Sequence, residues 1–172
     1  MQDFNYKYNV NDTYMVTYYT GDDAVVVIPD TYYGKPVGML YDGIFRGHPE
    51  IEQIRIPDTV SEIGGFVFEG CTSLKQITLP SQLIFLWQYA FVRSSLQQIT
   101  IPDGVVRIAP YTFQECRDLQ EVILPVKLRR IGAFAFRDCV SLKRIVIGED
   151  TVIAENAFTG CGEVEILRRT CE

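Results

Sequence analysis

Apolar residues recur along this chain in short triplets with one position between them that varies freely. Ile54-Arg55-Ile56, Ile77-Thr78-Leu79, Ile99-Thr100-Ile101, Val122-Ile123-Leu124 and Ile145-Val146-Ile147 share this form. Period-two alternation is the mark of a strand with one buried face. Four triplets end on Pro57, Pro80, Pro102 and Pro125, and the fifth on Gly148, with spacings of 23, 22, 23 and 23 residues. Proline has no N–H to continue a ladder, so it closes the strand before it. The pattern predicts one short strand per repeat.

The positions after each proline repeat as well. Apolar residues stand at +3 and +6: Val60 and Ile63, Leu83 and Leu86, Val105 and Ile108, Leu128 and Ile131. A phenylalanine follows at +11 as Phe68, Phe91, Phe113 and Phe136, and one residue early as Phe158. Then comes a small residue, Cys71, Ser94, Cys116, Cys139 or Cys161, and an apolar residue that opens the next strand. A divergent first repeat runs through Val26, Ile28, Pro29, Phe45, His48 and Ile51, with an insertion near Tyr32-Tyr33-Gly34-Lys35-Pro36 that reads as a loop. One such repeat cannot bury its own apolar face, whereas a stack of them buries a continuous core. Each offers about six inward side chains, worth roughly 1.5–3 kcal/mol apiece when buried, most of it offset by the entropy of ordering the chain. The phenylalanine segment is too short for a long helix, so a one-to-two-turn helix or 3-10 segment is expected there.

The ends carry their own patterns. Tyr6, Tyr8 and Val10 alternate before Asn11-Asp12, and Tyr14, Val16 and Tyr18 after it, which predicts a β-hairpin. The chain reads as one repeat domain over 1–172: a hairpin cap at 1–23, about six repeats at 24–163, and a short C-terminal cap at 164–172. Val164, Ile166 and Leu167 offer one last strand before the charged Arg168-Arg169-Thr170-Cys171-Glu172. That end reads either as a thin cap or as a cut from a longer chain.

The stretch from Leu119-Gln120-Glu121-Val122-Ile123-Leu124-Pro125 through Ile131-Gly132-Ala133-Phe134-Ala135-Phe136-Arg137-Asp138-Cys139 resembles the BspA-like class of leucine-rich repeats. The resemblance covers residues 24–164. It departs at His48, Ser94, Trp87 (where glycine is usual) and Gly148. It implies a leucine-rich-repeat solenoid of the α/β class: a parallel β-sheet on the concave face, short helical or 3-10 turns on the other, and the N-terminal β-hairpin cap. It also implies a bacterial surface or secreted protein engaged in adhesion and protein binding.

Charge narrows the partners. With 16 Lys and Arg against 22 Asp and Glu, the net charge is −6. No basic run exists, which argues against nucleic acid and anionic membrane. No apolar stretch approaches bilayer length. Residues 1–11 lack the basic head and apolar core of a signal peptide, so the sequence itself leaves cytoplasm and export both open.

The candidate chemistry is mostly architectural. Cys71, Cys116, Cys139 and Cys161 form a column interrupted by Ser94. No C-x₂₋₄-C pair supports zinc, and parallel stacked side chains make poor disulfides. A small buried residue closing each turn, its thiol a weak donor, explains the column. Cys171 lies outside it and is a candidate reactive thiol. His48, the single histidine, sits in the same column and has no catalytic partner. Walker, G-x-G-x-x-G, H-E-x-x-H and G-x-S-x-G motifs are absent, so neither catalysis nor a cofactor or metal is expected. Asn11-Asp12-Thr13 fits a glycosylation sequon.

Two surface columns carry the functional expectation. On the strand face the outward residues are Gln53 and Arg55, Gln76 and Thr78, Gln98 and Thr100, Glu121 and Ile123, then Arg144 and Val146. Solenoids use such arrays to bind partners. Nine residues after each proline stand Phe66, Tyr89, Tyr111 and Phe134, an aromatic column beside Phe85 and Trp87. Phe85 replaces the charged Glu62, Arg107 and Arg130 of other repeats, so Phe85 and Trp87 are expected to be solvent-exposed contact residues. The leading expectation is a non-enzymatic module that binds a protein, a peptide or a glycan. The alternative is a structural segment of a longer surface protein, associating weakly end to end.

Overall fold

The computed structural model describes residues 3–170. The chain winds as a solenoid with two parallel ladders, not one. The first ladder runs through β3 (Val25–Val27), β6 (Gln53–Arg55), β9 (Gln98–Thr100), β11 (Glu121–Ile123), β13 (Arg144–Gly148) and β15 (Glu165–Arg169). β3 pairs with β6, and β9, β11, β13 and β15 pair in sequence order. Bridges from Arg55 to Thr78 and from Gln76 to Gln98 carry the ladder across the coil between β6 and β9. The triplets therefore form the predicted sheet: Ile54, Ile99, Val122 and Ile145 point inward and are buried, while their neighbours point out. Each proline carbonyl then accepts an N–H three residues on, from Val60, Leu83, Val105 or Leu128, which turns the chain and buries the +3 side chain. At Gly148 the same bond comes from Thr151, whose hydroxyl donates to the Leu128 carbonyl at 2.8 Å and so tolerates burial.

The second ladder was not expected from the triplets. It uses the two residues ending at +6: β7 (Glu62–Ile63), β8 (Phe85–Leu86), β10 (Arg107–Ile108), β12 (Arg130–Ile131) and β14 (Val152–Ile153). It begins at the N-terminal cap, where β1 (Phe4–Tyr8) pairs antiparallel with β2 (Tyr14–Tyr19), and β2 pairs parallel with β5 (Lys35–Leu40). The expected hairpin is present, with a register shift between Asn5 and Tyr6. Near its end Tyr18 is exposed and Tyr19 is buried against Phe45. The expected loop at residues 32–36 is instead a tight hairpin, β4 (Thr31–Tyr32) against β5, turning at Tyr33-Gly34 with φ of 46° and 72°. Tyr32 stacks on Tyr6 at 3.9 Å and fastens this insertion to the cap.

The expected helical or 3-10 turns, and with them the α/β assignment, are not found: no helix occurs among the described residues. The reason lies in alternating backbone handedness. The +9 residues Phe66, Tyr89, Tyr111 and Phe134 have φ between 55° and 62°, and the +13 residues Gly70, Arg93, Glu115 and Asp138 between 56° and 73°. Between them, hydrogen bonds alternate in direction. The N–H of Glu69 bonds within its coil to Phe66, and that of Cys71 to Phe68. Phe68 and Gly70 instead donate onward to Ala90 and Val92 of the next coil. A helix sends every N–H back along its own chain; here half of them join neighbouring coils. The phenylalanines so placed form a ring stack, buried from Phe45 through Phe68, Phe91 and Phe113 to Phe136 and ending on the partly buried Phe158, with centroids 4.9–5.9 Å apart.

At the C-terminal end β15 pairs with β13 over five residues, as the last-strand reading expected. Arg168 donates to the carbonyls of Glu149 at 2.6 Å and Thr151 at 3.1 Å, and Arg169 to that of Leu124 at 3.2 Å. Two arginines thus satisfy backbone acceptors at this end.

Candidate functional site

The outward side chains of the first ladder meet on one face. Gln53, Arg55, Gln76, Thr78, Gln98 and Thr100 are all exposed there, continued by Glu121, Ile123 and Arg144. Strand pairing fixes their rows: Gln98 stands beside Glu121, and Thr100 beside Ile123. Three shallow depressions lie along the face. One of about 510 Å³ spans Val25, Val27, Gln53 and Arg55. A second of about 710 Å³ spans Gln76, Thr78, Gln98 and Thr100. A third of about 590 Å³ spans Glu121, Ile123, Arg144 and Arg169. Shared residues (Gln53 and Thr78, then Glu121 and Ile123) join them into one trough. Its amide and hydroxyl middle is suited to hydrogen-bonding a backbone, and its ends at Val25, Val27 and Ile123 to apolar contact.

The sequence-predicted residues therefore divide between two surfaces. Phe85, Trp87, Tyr89 and Tyr111 belong to the second ladder and the turns after it. Tyr89 stacks between Phe66 at 4.6 Å and Tyr111 at 4.8 Å, and Tyr111 stacks on Phe134 at 5.3 Å. Arg46 lies over Phe66 and Arg137 over Phe134, closing the column at both ends. All four rings are half-buried and mutually satisfied, so this column packs the solenoid as well as lining its surface. Phe85 and Trp87 differ. They are 44% and 41% exposed, as expected, and stack on each other at 6.2 Å. The Trp87 indole N–H donates to Glu62 at 2.7 Å, which fixes the ring's orientation. Sequence reasoning missed two extensions of these surfaces, Val25 and Val27 at one end of the trough and Ile84 beside Phe85. The signal for the valines is an apolar residue at an outward position of a ladder strand; Ile84 lies just before its strand.

The cysteines do what a buried closing residue does. Cys71, Cys116, Cys139 and Cys161 donate to the carbonyls of Phe45, Phe91, Phe113 and Phe136 at 2.8–3.2 Å. Each thiol thus ties its coil to the preceding ring of the stack. Burial pushes the Cys71 and Cys116 thiols up to about 12. Cys139, hydrogen-bonded to the Cys161 thiol and buried, is pushed up as well. Ser94 fills the gap in the column and lies 3.4 Å from the Cys116 sulfur. Among the described residues, no three His, Cys, Asp or Glu side chains converge as metal ligands. His48 keeps the turn position, its N–H bonded to Phe45 as that of Cys71 is to Phe68, and its Nδ1 lies 2.7 Å from Glu50. Asn11 of the sequon is exposed at the hairpin turn. Cys171 lies outside the described residues.

One buried carboxylate was not anticipated. Glu69 is 5% exposed and lies between Arg46 of the preceding coil, at 2.6 Å, and Arg93 of the following one. The Arg46 contact is an ion pair without hydrogen-bond geometry, which leaves Oε2 without a donor. Glu69 thus holds three coils together electrostatically.

A model of the BspA-type leucine-rich repeat region matches in six copies over residues 39–165. Among solved structures, the fold is similar to that of the T. pallidum leucine-rich repeat protein TpLRR, with TM-score 0.89 and 31% identity, covering 97% of this chain and 80% of that one. It is also similar to a leucine-rich cell surface protein of Faecalibacterium prausnitzii, with TM-score 0.70 and 27% identity, covering 99% of this chain and 55% of that one. A leucine-rich repeat protein of Bacteroides ovatus matches at TM-score 0.69 and 25% identity, covering 99% of this chain and 52% of that one. The chain thus spans about half the length of the last two. No curated protein matches the sequence.

Proposed function

We propose that this chain, which belongs to the BspA-type leucine-rich repeat family, is a non-enzymatic module that binds an extended protein segment along the trough of its first ladder. The observation that carries this reading is the continuity of the trough. Amide, hydroxyl and guanidinium groups at Gln53, Arg55, Gln76, Thr78, Gln98 and Thr100 are exposed in register over successive coils. An extended chain offers backbone donors and acceptors at a similar repeat, and stacked strands about 4.8 Å apart present side chains to meet them. The match to a cell surface protein of Faecalibacterium prausnitzii supports a place on the bacterial surface, with adhesion as the outcome of such binding. The alternative, a structural segment, is favoured by the outer strand β15, whose five residues are all exposed, an open edge able to pair with another chain.

The test uses the whole chain as bait for proteins from its native surroundings, followed by binding of each identified partner in purified form. A Thr78→Lys/Thr100→Lys variant should lose at least about tenfold in affinity, since added charge on a rigid face blocks close approach, while its thermal midpoint stays unchanged. Unaltered affinity for every partner would refute the trough. Sedimentation velocity across concentration tests the alternative, which requires concentration-dependent growth in size.

A further inference from the structure

The second ladder is interrupted at one place. It is continuous from β2 through β8 and again from β10 to β14, but β8 and β10 are not paired. In four coils the N–H at the +7 register bonds to the preceding coil: Gly64 to Leu40, Trp87 to Ile63, Gly132 to Ile108 and Ala154 to Ile131. Ala109, at the same register, makes no such bond to Leu86. Pro110 follows it, and the residue before a proline is restricted in backbone conformation. The flanking coils remain in contact, because Tyr89 and Tyr111 still stack at 4.8 Å. The break is local, and a cleft of about 360 Å³ opens over it.

The walls of this cleft are chemically distinct from the rest of the ladder. On one side are Ile84, Phe85 and Trp87, each at least 41% exposed. The place of Phe85 carries Glu62, Arg107 and Arg130 in other coils, and that of Trp87 carries Gly64, Ala109 and Gly132, so the solenoid does not require aromatics there. On the other side are Arg107 and Arg130. The Arg107 guanidinium lies 6.0 Å from the centre of the Trp87 ring. Among the described residues, neither arginine is ion-paired: the bridges formed use Lys35, Arg46, His48, Arg93 and Arg137. No carboxylate of the described residues lines the cleft, so its two guanidinium groups stand beside the exposed apolar wall with no acidic side chain among them.

We infer that this cleft is a second interaction surface, which takes an acidic peptide segment of a partner protein. The segment's side-chain carboxylates meet Arg107 and Arg130, and an intervening aliphatic or aromatic side chain rests on Phe85 and Trp87. Guanidinium groups are well suited to carboxylates, with which they form paired, planar hydrogen bonds. Glu62, committed to the indole N–H, holds Trp87 in place for the contact.

Trp87 is the single tryptophan of the chain, so its emission reports on the cleft directly. The probe is an acetylated, amidated five-residue peptide of alternating glutamate and leucine, titrated into the full chain beside its glutamine counterpart. The glutamate peptide should shift the emission saturably and weaken with added salt. The glutamine peptide should bind roughly tenfold more weakly, as should the glutamate peptide to an Arg107→Gln/Arg130→Gln variant, the loss expected for two exposed charge pairs. The variant's thermal midpoint should be unchanged, because both side chains lie at the surface. Equal responses to the two peptides, or an undiminished response in the variant, would overturn the inference, as would the lack of any saturable shift. Retention of binding by the Thr78→Lys/Thr100→Lys chain separates this surface from the trough.

Discussion

Phe113 stands at the middle of the buried ring stack, and its removal tests whether the solenoid is held together coil by coil. It has no solvent exposure, and its ring lies 5.4 Å from Phe91 and 5.2 Å from Phe136, nearly parallel to both. Replacement by alanine should cost about 3–5 kcal/mol, the range for emptying a phenylalanine site in a close-packed core. Of this, roughly 0.5–1.5 kcal/mol belongs to each lost ring contact. Phe158 is the terminal member of the same stack, only partly buried, with Phe136 as its one ring neighbour. Phe158→Ala should therefore cost roughly half as much. Repeat arrays gain stability from nearest-neighbour interfaces, so a central lesion weakens two of them and a terminal lesion one. Urea unfolding followed by far-UV dichroism and Trp87 emission reads both quantities. In Phe113→Ala the two signals should separate, because Trp87 reports only the coils on its own side of the lesion. Equal costs at Phe113 and Phe158, with coincident transitions in both, would refute the neighbour-stacking argument.

Three further outcomes follow from the same geometry. Tyr111 has φ of 61°, so Tyr111→Gly should be about 1 kcal/mol more stable than Tyr111→Ala, the reverse of the order in a helix; paired urea midpoints decide it. Glu69→Gln should lower stability by roughly 1–3 kcal/mol by leaving a buried amide between two arginines, and Arg93→Ala combined with it should cost little more, a coupling that a double-mutant cycle measures. The Cys71 and Cys116 thiols rise in the fold from 9.0 to about 12, so between those values the unfolded chain has lost protons that the folded chain keeps. Stability is therefore full below pH 9 and falls as pH rises toward 12, and a Cys71→Ser/Cys116→Ser variant should show a smaller drop in urea midpoint between about pH 8 and pH 10.5.

The two ladders differ in how plainly the sequence announces them. The first was legible because each triplet is three residues long and four of the five end on a proline that halts pairing, so period and boundary coincide. The second uses two residues per coil, such as Glu62-Ile63 and Arg130-Ile131, too few to display a period of two. Its inward residues were visible at +6, but nothing in a single copy distinguishes a two-residue strand from a turn. The left-handed positions were hidden for another reason. Phe66, Tyr89, Tyr111 and Phe134 carry no local sign of positive φ, since bulky residues rarely adopt it. The sign lies across copies: Gly43 takes the +9 position in the first coil, and Gly47, Gly70 and Gly160 take the +13 position in three coils. A column that holds glycine in some copies and Arg93, Glu115 or Asp138 in others marks a left-handed site imposed by the stack.

The candidate surfaces divide along the same line. The trough was readable because outward strand positions follow directly from inward ones. The cleft was half readable: Phe85 and Trp87 stand out as departures from the repeat, but the break in the ladder lies one coil later, where Ala109 precedes Pro110. Proline at that place is unremarkable in sequence, since turns accept it. Only the pairing of neighbouring coils shows that the N–H before it should have joined a ladder. In a solenoid, each coil's backbone groups are completed by the next coil, so a change in one coil alters the surface chemistry of another. Departures from the repeat therefore act in adjacent pairs. Here the pair is an apolar wall on the coil of Pro80 and a broken edge that carries Arg107 on the coil of Pro102. Restoring the ladder with Pro110→Ala should close the break while leaving Phe85 and Trp87 in place. If the acidic peptide then binds less tightly with both aromatics still exposed, recognition depends on the opening between the coils and not on the aromatic pair alone.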